Sequence, residues 1–240
     1  MQDRGWIDLH SHILPQLDDG SDSVEMSLAM LYQMAEQGVD VVCATSHYYA
    51  KHSSIPAFCE RRAEAMERLS AVLTEDLPRV LPAAEVAYFP RMEEQDLTPL
   101  CIQGTRTLML EMPFADWTSL QAEAVEALVL DCGYQVVLVH PERFCFSGSN
   151  RSQLRRLAQL PIGLQVNAGS LIRWQTRRLA LDLLQLAQMP LLGSDCHNLT
   201  SRPPNLKGGR AVIRRKLGED FLNQMDENAV LAVQRWEWSR

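Results

Sequence analysis

Trp6-Ile-Asp-Leu-His-Ser-His12 is a short apolar run that closes on two histidines one residue apart. The figure recurs along the chain. Val39-Asp-Val-Val-Cys-Ala-Thr45 runs into His47, Val80-Leu-Pro-Ala-Ala-Glu-Val86 carries Glu85 near its end, and Thr107-Leu-Met-Leu-Glu-Met112 carries Glu111. Gln135-Val-Val-Leu-Val139 runs into His140, Leu164-Gln-Val-Asn167 follows, and Pro190-Leu-Leu-Gly-Ser194 runs into Asp195 and His197. These runs are mostly continuous rather than alternating, as strands covered on both faces are. Helical patterns lie between them, at residues 23–37, 56–73, 120–132, 151–160 and 175–188, with an amphipathic tail from about residue 206. Asp22 with Glu25 reads as a capping box for the first, and Gly38 stops it.

Strand–helix alternation of this kind predicts an α/β protein with a parallel sheet. No GxGxxG follows the first strand, so a dinucleotide-binding doubly wound sheet lacks its signal. A closed or distorted barrel in one domain spanning residues 1–240 is the simplest expectation, and 240 residues suit one βα barrel.

In a parallel barrel every strand end faces one mouth. His10, His12, His47, Glu85, Glu111, His140, Asp195 and His197 would therefore converge, leaving His52 alone outside the pattern. Any one such histidine is more often a satisfied polar residue than a ligand. So many imidazoles and carboxylates gathered in one place are costly without a compensating cation. Imidazole with carboxylate and no thiolate suits Mn, Fe or Zn. His10 and His12 share one side of an extended segment, as do Asp195 and His197, which turns Cys196 away.

Composition narrows the function. The chain is 46% hydrophobic and 22% charged, with net charge −7 and a pI near 5.4. The acidic balance argues against a nucleic-acid binder, and no stretch approaches the roughly 20 apolar residues of a membrane span. Met1–Trp6 has no apolar signal region, so the cytoplasm is the expected compartment. The six cysteines form no CxxC pair and read as reduced thiols.

The motifs His10-Ser-His12 with Ile13-Leu-Pro-Gln-Leu-Asp-Asp-Gly20, Ala44-Thr-Ser-His47, Ala84-Glu-Val86, His140-Pro-Glu-Arg143, Gln165-Val-Asn167, Ser194-Asp-Cys-His-Asn198 and Arg202-Pro-Pro204 resemble those of the PHP (polymerase and histidinol phosphatase) family. The nearest branch is the bacterial protein-tyrosine phosphatases of the CpsB/CapC type from capsule and exopolysaccharide operons. The resemblance runs from residue 8 to about 204. It implies a distorted (β/α)7 TIM-like barrel holding three divalent ions, with Mn favoured and Fe or Zn as alternatives. It places His10, His12, Glu85 and Asp195 on the first ion. Glu85, Glu111 and His140 fall on the second, and Asp18, His47 and His197 on the third. Asp19 is adjacent to Asp18, and the sequence leaves the choice between them open.

Arg143 and Arg202 match the positions that bind phosphate. The chemistry implied is attack of a metal-activated water on phosphorus, on a phosphotyrosine protein such as a tyrosine autokinase. Asp195 and His197 are the candidates for donating a proton. Tyr48, Tyr49, Phe144, Phe146 and Trp174 follow strand ends and are candidates to flank the substrate ring. Ala84, Ser46 and Cys196 depart from the family's usual Gly, Pro and Ala, and none of these changes removes a ligand.

Rival readings are a histidinol-phosphatase-like or other small-molecule phosphoesterase and a metal-binding regulatory module without turnover. A thiol phosphatase could use Cys145-x5-Arg151, a pattern common by chance. An amidohydrolase with a carbamylated strand lysine needs a lysine that the strands lack: Lys51, Lys207 and Lys216 all lie elsewhere.

Overall fold

The computed structural model describes residues 5–145 and 147–234. Among the described residues, nine strands are interspersed with eight α-helices: β1 (Trp6–Ser11), α1 (Val24–Gln37), β2 (Val39–Ala44), β3 (His47–Tyr48), α2 (Ile55–Ser70), β4 (Arg79–Pro82), β5 (Glu85–Ala87), β6 (Thr107–Glu111), α3 (Ser119–Leu130), β7 (Gln135–Val139), α4 (Gly148–Leu157), β8 (Gly163–Asn167), α5 (Ala168–Ile172), α6 (Trp174–Leu186), β9 (Met189–Gly193), α7 (Leu206–Leu217) and α8 (Glu219–Ala232). Every ladder between these strands is parallel. The strands form two sheets, in the orders β1-β2-β4 and β3-β5-β6-β7-β8-β9.

The stretch 80–86, expected as one strand, is two. It breaks at Ala83-Ala84, where both side chains are fully buried, and the halves belong to different sheets. The path through β2 and β3 breaks alongside at Thr45-Ser46. The breaks are stitched by hydrogen bonds from Ala83 N to Ala44 O (2.9 Å) and from Glu85 N to Ser46 O (3.0 Å). At the other side, Ser11 bridges Cys196 in parallel, and Asp195 N donates to His10 O at 2.8 Å. The end of β1 thus meets the chain leaving β9 without one continuous closed ladder.

Strand residues sort by parity, as the pleat requires. Leu9, Cys43, Leu81, Met109, Val137, Val139 and Leu191 share one buried cluster. Val42, Leu108, Leu110, Val136, Leu138 and Leu164 belong to the larger cluster packed with helix residues such as Leu31, Val125 and Leu184. Burial of both faces is why the strands read as unbroken apolar runs.

The helix ends follow capping chemistry. Ser23, not Asp22, caps α1, accepting from Met26 N at 3.2 Å with an extended backbone, and Gly38 closes that helix at φ 93°. Ser54 caps α2 with Pro56 in its first turn. Thr118 and Gln121 make a reciprocal capping box on α3. The helical tail is two elements, broken at Gly218 (φ 95°).

Candidate metal centre

The expected residues do converge, most of them at strand ends, with His47 and Glu85 at the starts of the short strands β3 and β5. His10, the second-to-last residue of β1, and His12, just past it, are both fully buried. His47 opens β3, Glu85 opens β5, Glu111 ends β6, and His140, Asp195 and His197 follow β7 and β9. His140 (φ 33°) and Asp195 (φ 53°) adopt the left-handed backbone region. For residues other than glycine this costs roughly 1–3 kcal/mol each and is found mostly where a site needs it.

Glu85 lies at the centre. Its Oε2 is 3.2 Å from His10 Nε2, 3.2 Å from His12 Nε2 and 3.0 Å from His47 Nδ1, while its Oε1 is 2.6 Å from His140 Nε2. Asp195 Oδ1 lies 3.7 and 3.6 Å from the His10 and His12 Nε2 atoms. Glu111 Oε1 lies 3.7 Å from His140 Nε2. The ligand-capable atoms fall into four overlapping groups, each within 4.8 Å: His10, His12 and Asp195; His10, Glu85 and His140; His47, Glu85 and Glu111; His12, Asp19, His47 and His197.

The surrounding hydrogen bonds set the tautomers. Gln165 Oε1 accepts from His10 Nδ1 at 2.8 Å, and Asp18 Oδ2 accepts from His12 Nδ1 at 2.8 Å. Each ring therefore carries a proton on Nδ1, and the two Nε2 atoms face one another at 3.2 Å beside two carboxylates. Such a contact needs a cation or a proton between the rings. His47 Nδ1 and His197 Nε2 are also buried without a hydrogen-bond partner. The donor set thus fits divalent metal: imidazole lone pairs and carboxylates aimed at shared points, with the far side of each key ring held.

The metal-free electrostatics agree. Burial pushes the His12 imidazole down, but its bonds to Asp18 and Glu85 prevail and raise it to about 10. Burial works against the Glu85 carboxylate, yet His10, His12 and His140 hold it well below its usual range. Asp195, likewise buried, is brought down to about 2 by His10 and His12. Burial, then His12, lowers His197 to about 4. Burial, then the Glu85 charge, raises Glu111 to about 7.

Asp18 and Asp19 have separate places. Asp18 accepts from His12 Nδ1, from His47 N at 2.9 Å and from Gly20 N at 3.0 Å. Its two oxygens are occupied in holding His12 and the 18–20 loop. The Asp19 carboxylate, 65% exposed, is the one 3.4 Å from His47 Nε2 and 3.5 Å from His197 Nε2. The side chains thus join His47 and His197 to Asp19, where the motif pointed first to Asp18.

Gln165, Asn167 and Glu142 lie in motifs quoted above, where residue order assigned them no individual role, and the structure shows what they touch. Gln165 Nε2 donates to Asn167 Oδ1 at 2.9 Å, and Asn167 Nδ2 donates to Asp195 Oδ2 at 2.6 Å, so one relay braces His10 and Asp195 together. Glu142, buried and raised to about 7 by that burial, accepts from Asn167 N at 2.9 Å. Asp8 accepts from the backbone N of both His10 and Ser194, pinning the ends of β1 and β9.

Arg202 Nη2 donates to Asp195 Oδ1 at 2.6 Å, and Arg143 Nη1 lies 3.6 Å from Asp195 Oδ2. Both guanidinium side chains remain partly exposed at the rim. Of the aromatic candidates, Tyr48 and Phe144 are buried: Tyr48 packs on Phe58 and Phe144 on Trp117. Tyr49 stacks on His47 with ring centroids 5.3 Å apart. Trp174 is exposed at the start of α6, and Phe146 lies outside the described residues.

Two rivals lose their chemistry. Cys145 is fully buried, burial pushes its thiol up to about 12, and Arg151 Nε donates to the Cys145 carbonyl oxygen. It is no thiolate at neutral pH. Lys51 lies in a turn, and Lys207 and Lys216 lie on α7, so no strand offers a bridging lysine.

The chain is 29% identical to the tyrosine-protein phosphatase YwqE of Bacillus subtilis over 235 residues, covering 95% of this chain and 91% of that one. It is 28% identical to the tyrosine-protein phosphatase CpsB of Streptococcus pneumoniae over 228 residues, covering 88% and 91%. A crystal structure from work on YwqE and CpsB, described there as unique metal-dependent tyrosine phosphatases, matches with TM-score 0.82 at 27% identity, covering 96% of this chain and 95% of that one. The family described as "Capsular polysaccharide synthesis, CpsB/CapC" matches residues 6–232. That span runs from the first residue of β1 to the last of α8 and takes in every group of the metal centre, so the chain belongs to the CpsB/CapC family.

Proposed function

We propose that this protein is a metal-dependent protein-tyrosine phosphatase, hydrolysing phosphotyrosine in a protein substrate. The observation that carries the reading is the pair of facing Nε2 atoms of His10 and His12, set between Glu85 and Asp195, with Arg143 and Arg202 at the rim. The likeness to YwqE and CpsB supports the substrate class.

Three divalent ions, manganese before iron or zinc, account for the four overlapping groups. His10, His12, Glu85 and Asp195 would hold one, and Glu85, Glu111 and His140 a second. His47, His197 and Asp19 would hold the third, with Asp18 bracing His12 instead of ligating. A divalent cluster supplies an activated water and a Lewis acid for phosphoryl transfer.

The chain's own groups do the rest. Arg143 and Arg202 offer forked donors to phosphoryl oxygens, a geometry lysine lacks. Substrate phosphate would take over the Arg202 bond now made to Asp195, because both are anionic acceptors for one guanidinium. Asp195 is ionised and His197 neutral at pH 7, so both suit ligation better than proton donation. A phenolate leaving group makes only a modest demand for an acid.

The strand order and the meeting of β1 with the chain after β9 support a distorted (β/α)7 barrel serving as one domain. No described helix is long and apolar enough to cross a membrane. We read the site of action as the cytoplasm and the substrate as a tyrosine autokinase of polysaccharide export.

The deciding experiment is hydrolysis of a phosphotyrosine peptide beside a phosphoserine peptide and histidinol phosphate, with chelator and with Mn²⁺ restored. Phosphotyrosine hydrolysis that chelator abolishes and Mn²⁺ restores supports the reading. Preference for histidinol phosphate moves the protein to the small-molecule phosphoesterases. Tight metal binding with no turnover makes it a regulatory module.

A further inference from the structure

Phe114 stands three residues past β6 at the edge of the metal centre. It is 57% exposed, although a phenylalanine ring gains by burial. Its segment is not loose. Trp117 Nε1 donates to Pro113 O at 3.0 Å, Asn150 Nδ2 donates to Ala115 O at 3.0 Å, and Asn150 Oδ1 accepts from Trp117 N at 2.8 Å. The backbone on both sides of Phe114 is therefore tied down, and the ring is presented by a fixed frame.

Its neighbours belong to the site. The ring lies within 11° of parallel to His140, centroids 6.4 Å apart, and the Arg143 guanidinium carbon is 5.1 Å from its centroid. Behind it, Phe144 meets it edge-on at 6.3 Å and packs in turn on Trp117. Phe114 is thus the exposed tip of an aromatic cluster rooted in the core. A phosphoryl group held by Arg143 would carry its ester substituent, one oxygen away, into reach of this ring.

We infer that Phe114 selects aryl over alkyl phosphomonoesters by stacking on the substrate's ring. The inference rests on the phosphatase reading and deepens it, by naming the side chain that tells phosphotyrosine from phosphoserine. The buried Tyr48 and Phe144 cannot do this, and Tyr49, stacked on His47, is the competing wall. An offset or edge-to-face partner at 4.5–7 Å is the geometry aromatic pairs favour.

The test is calorimetric binding of phenylphosphonate and methylphosphonate to the Mn²⁺-loaded protein, alongside phosphotyrosine-peptide hydrolysis. Phe114→Ala should weaken phenylphosphonate about tenfold, as one aromatic contact of about 1.4 kcal/mol implies, and leave methylphosphonate within about twofold. Phe114→Tyr should restore the aryl preference.

Equal weakening of both ligands would overturn the inference, since Phe114 would then only steady Arg143. So would loss of the preference in Tyr49→Ala with its retention in Phe114→Ala. Wild-type protein that prefers phenylphosphonate but hydrolyses nothing would sink the catalytic reading while supporting the ring contact.

Discussion

Gln165→Leu is the sharpest probe of how the site holds metal. Gln165 is fully buried, accepts from His10 Nδ1 at 2.8 Å and donates to Asn167 Oδ1 at 2.9 Å. Leucine keeps most of the volume and removes both bonds. The metal-free imidazole can answer by moving its proton from Nδ1 to Nε2, toward Glu85. To take a metal on Nε2 it must return that proton to Nδ1, which is then a buried donor with no acceptor. The penalty therefore falls mainly on the metal-bound state. Loss of such an orienting partner costs roughly 10–100-fold in metal affinity, or about 1.4–2.7 kcal/mol.

Metal-free stability should fall less. Asn167 loses one neutral hydrogen bond worth about 1 kcal/mol, which in a domain of this size is a Tm shift of roughly 2–4 °C. Calorimetric Mn²⁺ titration and melting in chelator measure the two effects separately. Gln165→Glu, which keeps an acceptor for Nδ1, should retain most of the affinity lost in the leucine variant. A leucine variant that binds Mn²⁺ as tightly as wild type, at unchanged heat of binding, would refute the tautomer reasoning.

The adjacent aspartates should separate cleanly. Asp18→Asn puts an amide group against backbone N–H donors and lowers Tm even in chelator, by roughly 2–4 °C per kcal/mol lost. Asp19→Asn, on an exposed side chain, should leave that melting unchanged and reduce the number of ions retained, counted by elemental analysis. Metal binding should release the His12 proton, because that group is raised to about 10 in the metal-free chain. Affinity should then climb about tenfold per pH unit from pH 6 to 8 for each proton displaced; a flat profile contradicts it. The sign for stability is opposite: the His12 contribution in chelated protein is complete below pH 6.5 and lost as pH rises toward 10. Arg202→Lys loses a forked charge-assisted contact, so kcat/KM should drop roughly 10–150-fold, or about 1.5–3 kcal/mol, with the product-inhibition constant of phosphate rising alongside. Cys145→Ser should leave hydrolysis within about twofold, since the thiol stays protonated in the core; inactivation without loss of Tm would revive the thiol mechanism.

Strand positions, helix positions and most of the histidines and carboxylates that gather at the candidate centre were legible from residue order alone. Doubly buried parallel strands must be apolar throughout, so a histidine or carboxylate at the end of most runs stands out, and parallel geometry brings those ends together. Three things depended on contacts between segments far apart in the chain. The break of 80–86 into β4 and β5 falls just after Pro82, the last residue of β4, and the change of sheet there accompanies the one that the neighbouring path through residue 45 makes as well. The roles of Asp18 and Asp19 turn on which carboxylate reaches His12 Nδ1 and which reaches His47 and His197. The relay through Gln165 and Asn167 and the exposed ring of Phe114 involve amide and aromatic side chains that composition cannot tell from ordinary packing.

Sequence by itself determined which chemistry the chain carries, because ligand type and strand-end spacing are local. Tertiary structure alone decided which atom faces which. Tautomer, hydrogen-bond partner and the left-handed backbone at His140 and Asp195 are set by distances of about 3 Å between residues up to 186 positions apart, His10 and Asp195 among them.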